Sequence, residues 1–311
     1  MAMDDLINSI ASDHAIIAEA PAMVAGRTIH IDADMLCYVA GGKEGTTVNT
    51  SRTIVYNMTE KFRVASASEF VLQHLTASGS LKGDRVLLPI GYQAQRKNSR
   101  RPENWQYLRD WFPTVNSTAF KTMQWFDREA DDGFGWVWTS RPNDVICTRD
   151  KDMQMIPGNH LVWDTCELIY VDPDAYEFLH GDKVYGYKWF LLQLLMGDAA
   201  DGIRGLGPGV WAPRGVGPAT ANKFLKGTTC KEEGIQEVIQ LYEAAFGDEW
   251  ADELAQQCML LWIRRGKTAL LDEFIAFMPM LPRQRASMDE AIYKLKAHVK
   301  TLKEEAAQWN K

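Results

Sequence analysis

Residues 191–225 read LLQLLMGDAADGIRGLGPGVWAPRGVGPATANKFL, an apolar run that ends in two carboxylates and passes into a glycine-rich segment. The apolar run predicts a buried helix, and Asp198 and Asp201 follow where that helix ends. Residues three apart on a helix share one face, so both side chains can point at one target. Because the helix dipole disfavours anions at this end, a purely structural role for the pair is the weaker interpretation.

The glycines that follow predict a tight turn feeding a second helix. Gly215 and Gly217 precede Pro218, which suits a first helical turn, and Thr220 follows two residues later. The free N–H groups of such a turn can bind a phosphate, although an ordinary connector between helices has the same pattern. The segment is therefore a candidate contact for a phosphate backbone.

Upstream of this segment, strand-like and helix-like stretches alternate. The predicted strands are 27–36, 84–90, 143–156 (running into an acidic turn) and 159–166, and the predicted helices are 51–76, 105–112 and 129–140. This alternation predicts an α/β fold with a mostly parallel sheet. Helical periodicity dominates after about residue 186. We therefore predict an arm or helix at 1–26, an α/β domain at 27–186 and a helical domain at 187–311.

Composition limits the classes of function. The 311 residues are 46% hydrophobic, enough for a sizeable core, and contain no apolar run of membrane-spanning length. The acidic start is unlike a secretory signal, which predicts a cytoplasmic protein. Five widely spaced cysteines without a C-x-x-C argue against a zinc site or a disulfide framework. A net charge of −7 argues mildly against a nucleic-acid partner, unless bound divalent cations change the local charge.

Carboxylates recur where the predicted elements begin or end. The four groups are Asp32 with Asp34, Glu129 with Asp131 and Asp132, Asp150 with Asp152, and Asp198 with Asp201. In open parallel sheets, ligands bind beyond the carboxyl ends of the strands. So many like charges would repel strongly without cations, and oxygen-only ligand sets suit Mg²⁺, Mn²⁺ or Ca²⁺. Each group alone could be a cap or a turn, but the set favours a metal site.

The ordered series of motifs over roughly residues 27–226 resembles phage-type 5′→3′ exonucleases of the flap endonuclease superfamily. The matching stretches are IDADMLCY, GYQAQRK, READD, TRDKD, and GDAADGIRGL followed by GVGPATA. The resemblance implies a PIN-like α/β core followed by a helix-hairpin-helix module. It also implies two Mg²⁺ or Mn²⁺ ions and a K⁺ ion beside the hairpin.

The site residues follow from this resemblance and from the basic stretch at 96–101. The implied metal ligands are Asp32, Glu129, Asp131, Asp132, Asp150, Asp152, Asp198 and Asp201. The predicted catalytic residues are these ligands without Asp198, together with Arg96, whose charge would offset that of the phosphate. The expected DNA contacts are Tyr38, Tyr92, Arg96, Lys97, Arg100, Arg101, Gly215, Gly217 and Thr220.

The chain departs from the family pattern in three places. Gln93 stands where the family has a lysine that helps hold the scissile phosphate, and Lys97 is a candidate to replace that lysine. Asp84 lies near the start of the predicted strand 84–90, whereas relatives often carry an aspartate near its end. Eight residues, 207–214, separate the two parts of the glycine segment, and Trp211 within them is a candidate stacking surface.

The resemblance implies a monomeric, metal-dependent nuclease of phage replication or recombination. Its substrate would be duplex DNA with 5′ ends or flaps, with RNA:DNA hybrids as a second candidate. Three alternatives stay open. These are a catalytically impaired DNA-binding protein, which Gln93 favours, a PIN-like ribonuclease, and a metal-dependent phosphatase of small molecules.

Overall fold

The computed structural model describes residues 22–94, 96, 100–115 and 117–309. Of the arm predicted at residues 1–26, residues 1–21 lie outside this range, as does Lys97. The first strand already begins at Val24, so the boundary predicted at residue 27 falls inside a strand.

A six-stranded sheet is built from residues 24–171. Its strands are β1 (Val24–Asp32), β2 (Ser68–Thr76), β3 (Lys121–Trp125), β4 (Val145–Cys147), β5 (Gly158–Leu161) and β6 (Leu168–Val171). The spatial order is β3-β2-β1-β4-β5-β6, and only the β5–β6 pair is antiparallel. A separate hairpin pairs β7 (Phe178–His180) with β8 (Lys183–Tyr185). The predicted α/β class with a mostly parallel sheet is confirmed.

Helices alternate with the strands and are the main element type in the described residues after position 186. They are α1 (Ala33–Ala40), α2 (Val48–Ala65), α3 (Trp105–Trp111), α4 (Ala130–Ser140), α5 (Tyr187–Met196), α6 (Pro218–Phe224), α7 (Lys231–Phe246), α8 (Trp250–Leu261) and α9 (Pro282–Trp309). Within the described ranges, no helix has both the length and the apolar character needed to cross a membrane.

Two predictions of secondary structure are wrong. The helix predicted at 51–76 ends at Ala65, and residues 68–76 form β2. Ala67 turns the chain with a positive φ of 52°, and no glycine marks this break in the sequence. The apolar run predicted as a strand at 84–90 forms a 3₁₀ turn, Arg85–Leu87, that packs against the core. A short apolar run looks the same in sequence whether it pairs in a sheet or packs as a turn.

Apolar side chains cover both faces of the sheet because successive residues of a strand alternate between faces. Ile29 and Ile31 of β1 belong to one cluster, which also contains buried residues of α1 and α2. Ile146 of β4 belongs to a second cluster, which includes Phe190 of α5 and extends to Val299 of α9. The second cluster is therefore a continuous core that joins the sheet to the helical part of the chain.

A one-way chain of hydrogen bonds runs through buried side chains of the sheet. Trp125 Nε1 donates to His74 Nδ1 over 3.0 Å, and His74 Nε2 lies 2.9 Å from His30 Nδ1. His30 Nε2 then lies 3.0 Å from Asp144 Oδ2. Because tryptophan can only donate, each imidazole accepts through Nδ1 and donates through Nε2. Burial lowers the pKa of both histidines, which keeps the rings neutral and fixes the direction of the chain.

Candidate active site

The first carboxylates of the site lie at the carboxyl ends of the central strands. Asp32 ends β1 and caps α1, with its Oδ1 accepting the Met35 N–H over 2.9 Å. The other oxygen of Asp32 accepts the hydroxyl of Thr148, which follows β4, over 2.8 Å. Asp150 comes two residues later and accepts the backbone N–H of Asp152 over 2.9 Å. These hydrogen bonds fix the carboxylates of β1 and of the segment after β4 side by side.

The start of α4 brings further carboxylates to the same edge. The helix is anchored by its Ala130 N–H, which donates to Thr76 Oγ1 at the end of β2 over 2.9 Å. Glu129 and Asp131 line the cavity that lies over the strand ends. Asp132 does not reach that cavity, because its fully buried carboxylate accepts two hydrogen bonds from a guanidinium. The structure thus separates Asp132 from the other carboxylates that were predicted to bind metal.

Asp198 and Asp201 lie in the turn after α5. The Asp198 N–H donates to Ile203 O and Ile203 N–H returns the bond, each over 2.8 Å, so the turn is closed on itself. Gly197 has a φ of +70°, and a Cβ there would lie 2.2 Å from Ile203 O. Only glycine can therefore end α5 in this way. Carboxylate oxygens of Asp152, Asp198 and Asp201 lie within 4.8 Å of one another, a group that could hold a metal ion.

A cavity of about 490 Å³ opens over these groups. The predicted site residues that line it are Asp32, Tyr38, Tyr92, Arg96, Arg101, Glu129, Asp131, Asp150, Asp152 and Asp201. Asp198 does not line the cavity, although its carboxylate lies beside those of Asp152 and Asp201. The structure therefore brings most of the predicted catalytic residues to one place, although they come from five separate stretches of the sequence.

The carboxyl groups of the site are electrostatically strained. Burial raises the pKa of Asp32 and Asp152 to about 7, and that of Asp150 and Asp201 to about 6. Burial also raises the pKa of Asp131 well above its ordinary value, and repulsion from Asp150 adds to the effect. A bound divalent cation favours the ionised form and so relieves this strain. The oxygen-only donor set and its repulsion both fit a site for divalent ions.

Two cationic side chains neutralise part of the cluster. Lys151 Nζ contacts Asp198 and lies 3.1 Å from Asp152 Oδ1. Arg96 forms an ion pair with Asp201 and donates to the carbonyl of Ala200 over 3.0 Å. Arg96 was predicted as a catalytic cation, and the structure places it against a carboxylate of the site. Lys151 was not singled out, because a lysine inside an acidic turn looks like an ordinary solvated residue.

Arg85 is a further residue that the sequence did not reveal. Its side chain is 1% exposed and donates to both oxygens of Asp132 over 2.7 and 2.8 Å, and to Glu129 over 2.9 Å. It also donates to the carbonyl of Trp262 over 2.8 Å, which ties the site to the end of α8. A lone arginine inside an apolar run, as here, is a signal that a buried carboxylate partner exists.

The expected DNA contacts divide into exposed and buried residues. Tyr38 is 45% exposed at the cavity mouth, and Arg101 lies 3.7 Å above the ring of Trp105. Tyr92 is only 8% exposed, and its hydroxyl lies 2.9 Å from Glu129 and 3.2 Å from Asp201. This burial does not fit the predicted role of Tyr92 as a DNA contact, because its hydroxyl group hydrogen-bonds to carboxylates of the site. Arg100 is exposed, and Lys97 lies outside the described residues.

The glycine segment forms a turn that leads into α6. Gly215 has a φ of +88°, and Gly217 directly precedes the helix. Thr220 is half-buried in its first turn. In the 207–214 insertion, Trp211 packs its ring 5.4 Å from that of Phe224. This contact makes Trp211 an anchor for the loop, whereas the sequence predicted a surface for stacking.

Comparison with models of known protein families and with characterised proteins by sequence finds no match. Solved structures do match the fold. Bacteriophage T5 5′-exonuclease with bound zinc aligns over 88% of this chain and 100% of its own, at 15% identity and a TM-score of 0.57. A bacteriophage T5 flap endonuclease in a pseudo-enzyme–product complex with DNA and metal ions aligns over 88% and 99%, at 14% identity and a TM-score of 0.52. The PIN-like fold implied by the motifs is confirmed.

Proposed function

We propose that this protein is a divalent-metal-dependent 5′-nuclease that hydrolyses phosphodiester bonds of duplex DNA. The observation that carries the proposal is the convergence of buried, mutually repelling carboxylates at the carboxyl edge of a parallel sheet. The fold is that of proteins described as a 5′-exonuclease and a flap endonuclease. We extend the proposal to 5′ ends and flaps, with RNA:DNA hybrids as a further substrate, in phage replication or recombination.

Two groups of residues would hold two Mg²⁺ or Mn²⁺ ions. Asp152, Asp198 and Asp201 offer one set of oxygens. Asp32, Asp131 and Asp150, whose charges repel one another, offer the other set. When bound, such ions supply the Lewis-acid chemistry that makes water nucleophilic near neutral pH and offsets phosphate charge. Glu129 lies beside both sets, and Tyr92 bridges it to Asp201.

The chain's own residues would bind and orient the DNA. Arg96 and Arg101 line the cavity and present guanidinium groups to phosphate, and Tyr38 offers an exposed ring for base stacking. The turn before α6 would contact the duplex backbone, beside the K⁺ ion that the resemblance implies, through Gly215 and Gly217. Such contacts position a duplex without reading its sequence. We expect a single chain to suffice.

The test is cleavage of a 5′-labelled duplex, with and without a short 5′ flap, in Mg²⁺, in Mn²⁺ and in EDTA. We expect short 5′ products that disappear with chelation and in Asp150→Asn. The exposed turn variant Asp182→Asn is the matched control and should cleave like the wild type. Product length on the flap separates exonucleolytic from endonucleolytic cutting.

One rival is a DNA-binding protein with the same fold and no catalysis. The ion pairs of Lys151 and Arg96 with the carboxylates are what favours it, because they neutralise part of the cluster without metal. Tight binding of the flap substrate with no cleavage in either metal would support this rival and refute the nuclease. Cleavage of single-stranded RNA alone would instead favour a ribonuclease.

A further inference from the structure

A left-handed turn places Lys82 at the edge of the cavity. Lys82, Gly83 and Asp84 have φ values of +52°, +62° and +70° in succession. Two of these residues are not glycine, and side-chain-bearing residues held in this region are strained and concentrate at functional sites. The turn is held in place by the Lys82 N–H, which donates to Ser80 Oγ over 3.0 Å, and by close packing of Gly83 on Arg264.

The ammonium of Lys82 points at the carboxylate cluster. Its Nζ hydrogen-bonds to Gln93 Oε1, lies 3.2 Å from Glu129 Oε1 and lies 5.6 Å from the ring centroid of Tyr92. Gln93 also has a positive φ, of 56°. Two strained backbone positions, 11 residues apart in the sequence, thus converge on one ammonium group. An ammonium has three protons, and these two oxygens use only two of them.

Two of the other cations around the cavity are committed elsewhere. Arg85 is buried, with its donors on carboxylates and on a backbone carbonyl. Arg109 is held by Asp34 and by the carbonyl of Thr76. Lys82 is 27% exposed, which leaves its ammonium accessible from the cavity. It is therefore a cation beside Glu129 with a proton to offer to an incoming anion.

We propose that Lys82 binds the phosphate of the DNA linkage that occupies the cavity, and that Gln93 orients its ammonium. The proposal rests on the nuclease function proposed above and adds the residue that positions the phosphate. A preorganised cation at this point stabilises the charge on phosphate and needs no reorganisation when substrate arrives. Gln93 is then a positioning residue, since it acts through Lys82.

The test replaces single phosphates of the 5′ strand by neutral methylphosphonates. Fluorescence anisotropy in Ca²⁺ measures the Kd of each modified flap substrate for the wild type and for Lys82→Met, which keeps the length of the side chain and removes its charge. We expect one modified linkage to weaken wild-type binding about tenfold and to have no effect in Lys82→Met. Lys300→Ala, which removes an exposed lysine of α9, should behave like the wild type.

A second arm measures single-turnover cleavage of the unmodified flap in Mg²⁺. Loss of a preorganised charge should lower the rate about 100-fold in Lys82→Met. The double variant Lys82→Met/Gln93→Lys should recover most of this loss, because an ammonium on the neighbouring side chain can occupy the same place. Lys82→Arg should recover part of it.

The two arms separate the proposals. A wild type that does not cleave refutes the nuclease function, while the methylphosphonate comparison still decides whether Lys82 binds the phosphate. If every modified linkage weakens DNA binding by Lys82→Met as much as it weakens binding by the wild type, Lys82 makes no such contact. A cleavage rate for Lys82→Met within twofold of the wild type would also overturn the proposal.

Discussion

Neutralising one carboxylate should make the metal-free protein more stable and the metal-bound protein less so. Asp32→Asn is the cleanest change, because an asparagine can keep both local hydrogen bonds. Its Oδ1 can still accept the Met35 N–H, and the Thr148 hydroxyl can rotate to accept from the new amide. The substitution therefore removes a charge with little change in packing.

The magnitude follows from the pKa of Asp32, which burial and the neighbouring Asp34 raise from 3.8 to about 7. A folded-state pKa above the unfolded value means that the folded protein takes up protons first, so its stability falls as pH rises between about 4 and 7. At about 1.4 kcal/mol per pKa unit, the free energy of unfolding is lower by about 4 kcal/mol at pH 8 if Asp32 alone titrates. Because protons redistribute among coupled carboxyls, we expect Asp32→Asn to raise the free energy of unfolding by about 2 kcal/mol, which corresponds to about 3 °C in Tm.

Thermal unfolding in EDTA at pH 5.5 and 8 measures this effect for the wild type, Asp32→Asn and the exposed control Asp182→Asn. We expect Asp32→Asn to be more stable at pH 8 and to depend less on pH. In Mg²⁺ the order should reverse, because ligand at a hundredfold excess over Kd stabilises by about 2.7 kcal/mol and the variant lacks one ligand. An Asp32→Asn protein that is no more stable than the wild type in EDTA at pH 8 would refute the reasoning.

Three further predictions concern other parts of the chain. Arg85→Met should lower the free energy of unfolding by about 3–5 kcal/mol, because it removes the guanidinium that donates to both oxygens of buried Asp132, and a loss below about 1 kcal/mol in urea unfolding would contradict the pairing. In the native protein only Cys166 and Cys230, the partly exposed thiols, should react with DTNB, whereas denaturant should expose all five cysteines, and a third reactive thiol in the native state would be inconsistent with the fold. His74→Phe should lower the free energy of unfolding by about 1–3 kcal/mol more than His74→Gln does, because only the glutamine keeps a donor and an acceptor for its neighbours. Equal stabilities of the two variants in calorimetry would rule out the one-way chain of hydrogen bonds.

The sequence was sufficient to predict where the carboxylates gather. Asp32 and Asp150 follow buried strands, and parallel strands place such residues at one edge of the sheet. Asp198 and Asp201 could be grouped because carboxylates at a helix C-terminus need a specific reason. These predictions rest on periodicity and on charge, which local sequence records directly.

The sequence was not sufficient where the partner of a residue is distant. Arg85 lies in an apolar run that resembles a strand, and its burial depends on Asp132, which is 47 residues away. Lys82 and Gln93 meet through two turns that contain positive φ at residues other than glycine. Burial of Tyr92 likewise follows from carboxylates in two other segments. Such contacts are set by tertiary packing, and no local pattern encodes them.

The continuous core has a consequence for how the proposed metal site forms and is lost. Asp152 and Asp201 lie on opposite sides of the domain boundary predicted at residue 187. Buried residues close to both nevertheless belong to one apolar cluster. Segments that share a core tend to open as one cooperative unit. Metal bound between them should therefore slow amide hydrogen exchange by a similar factor in β4, α5 and α8, and not in the ligand-bearing turns alone. The ion would then protect the backbone of the elements that share this core as well as the site.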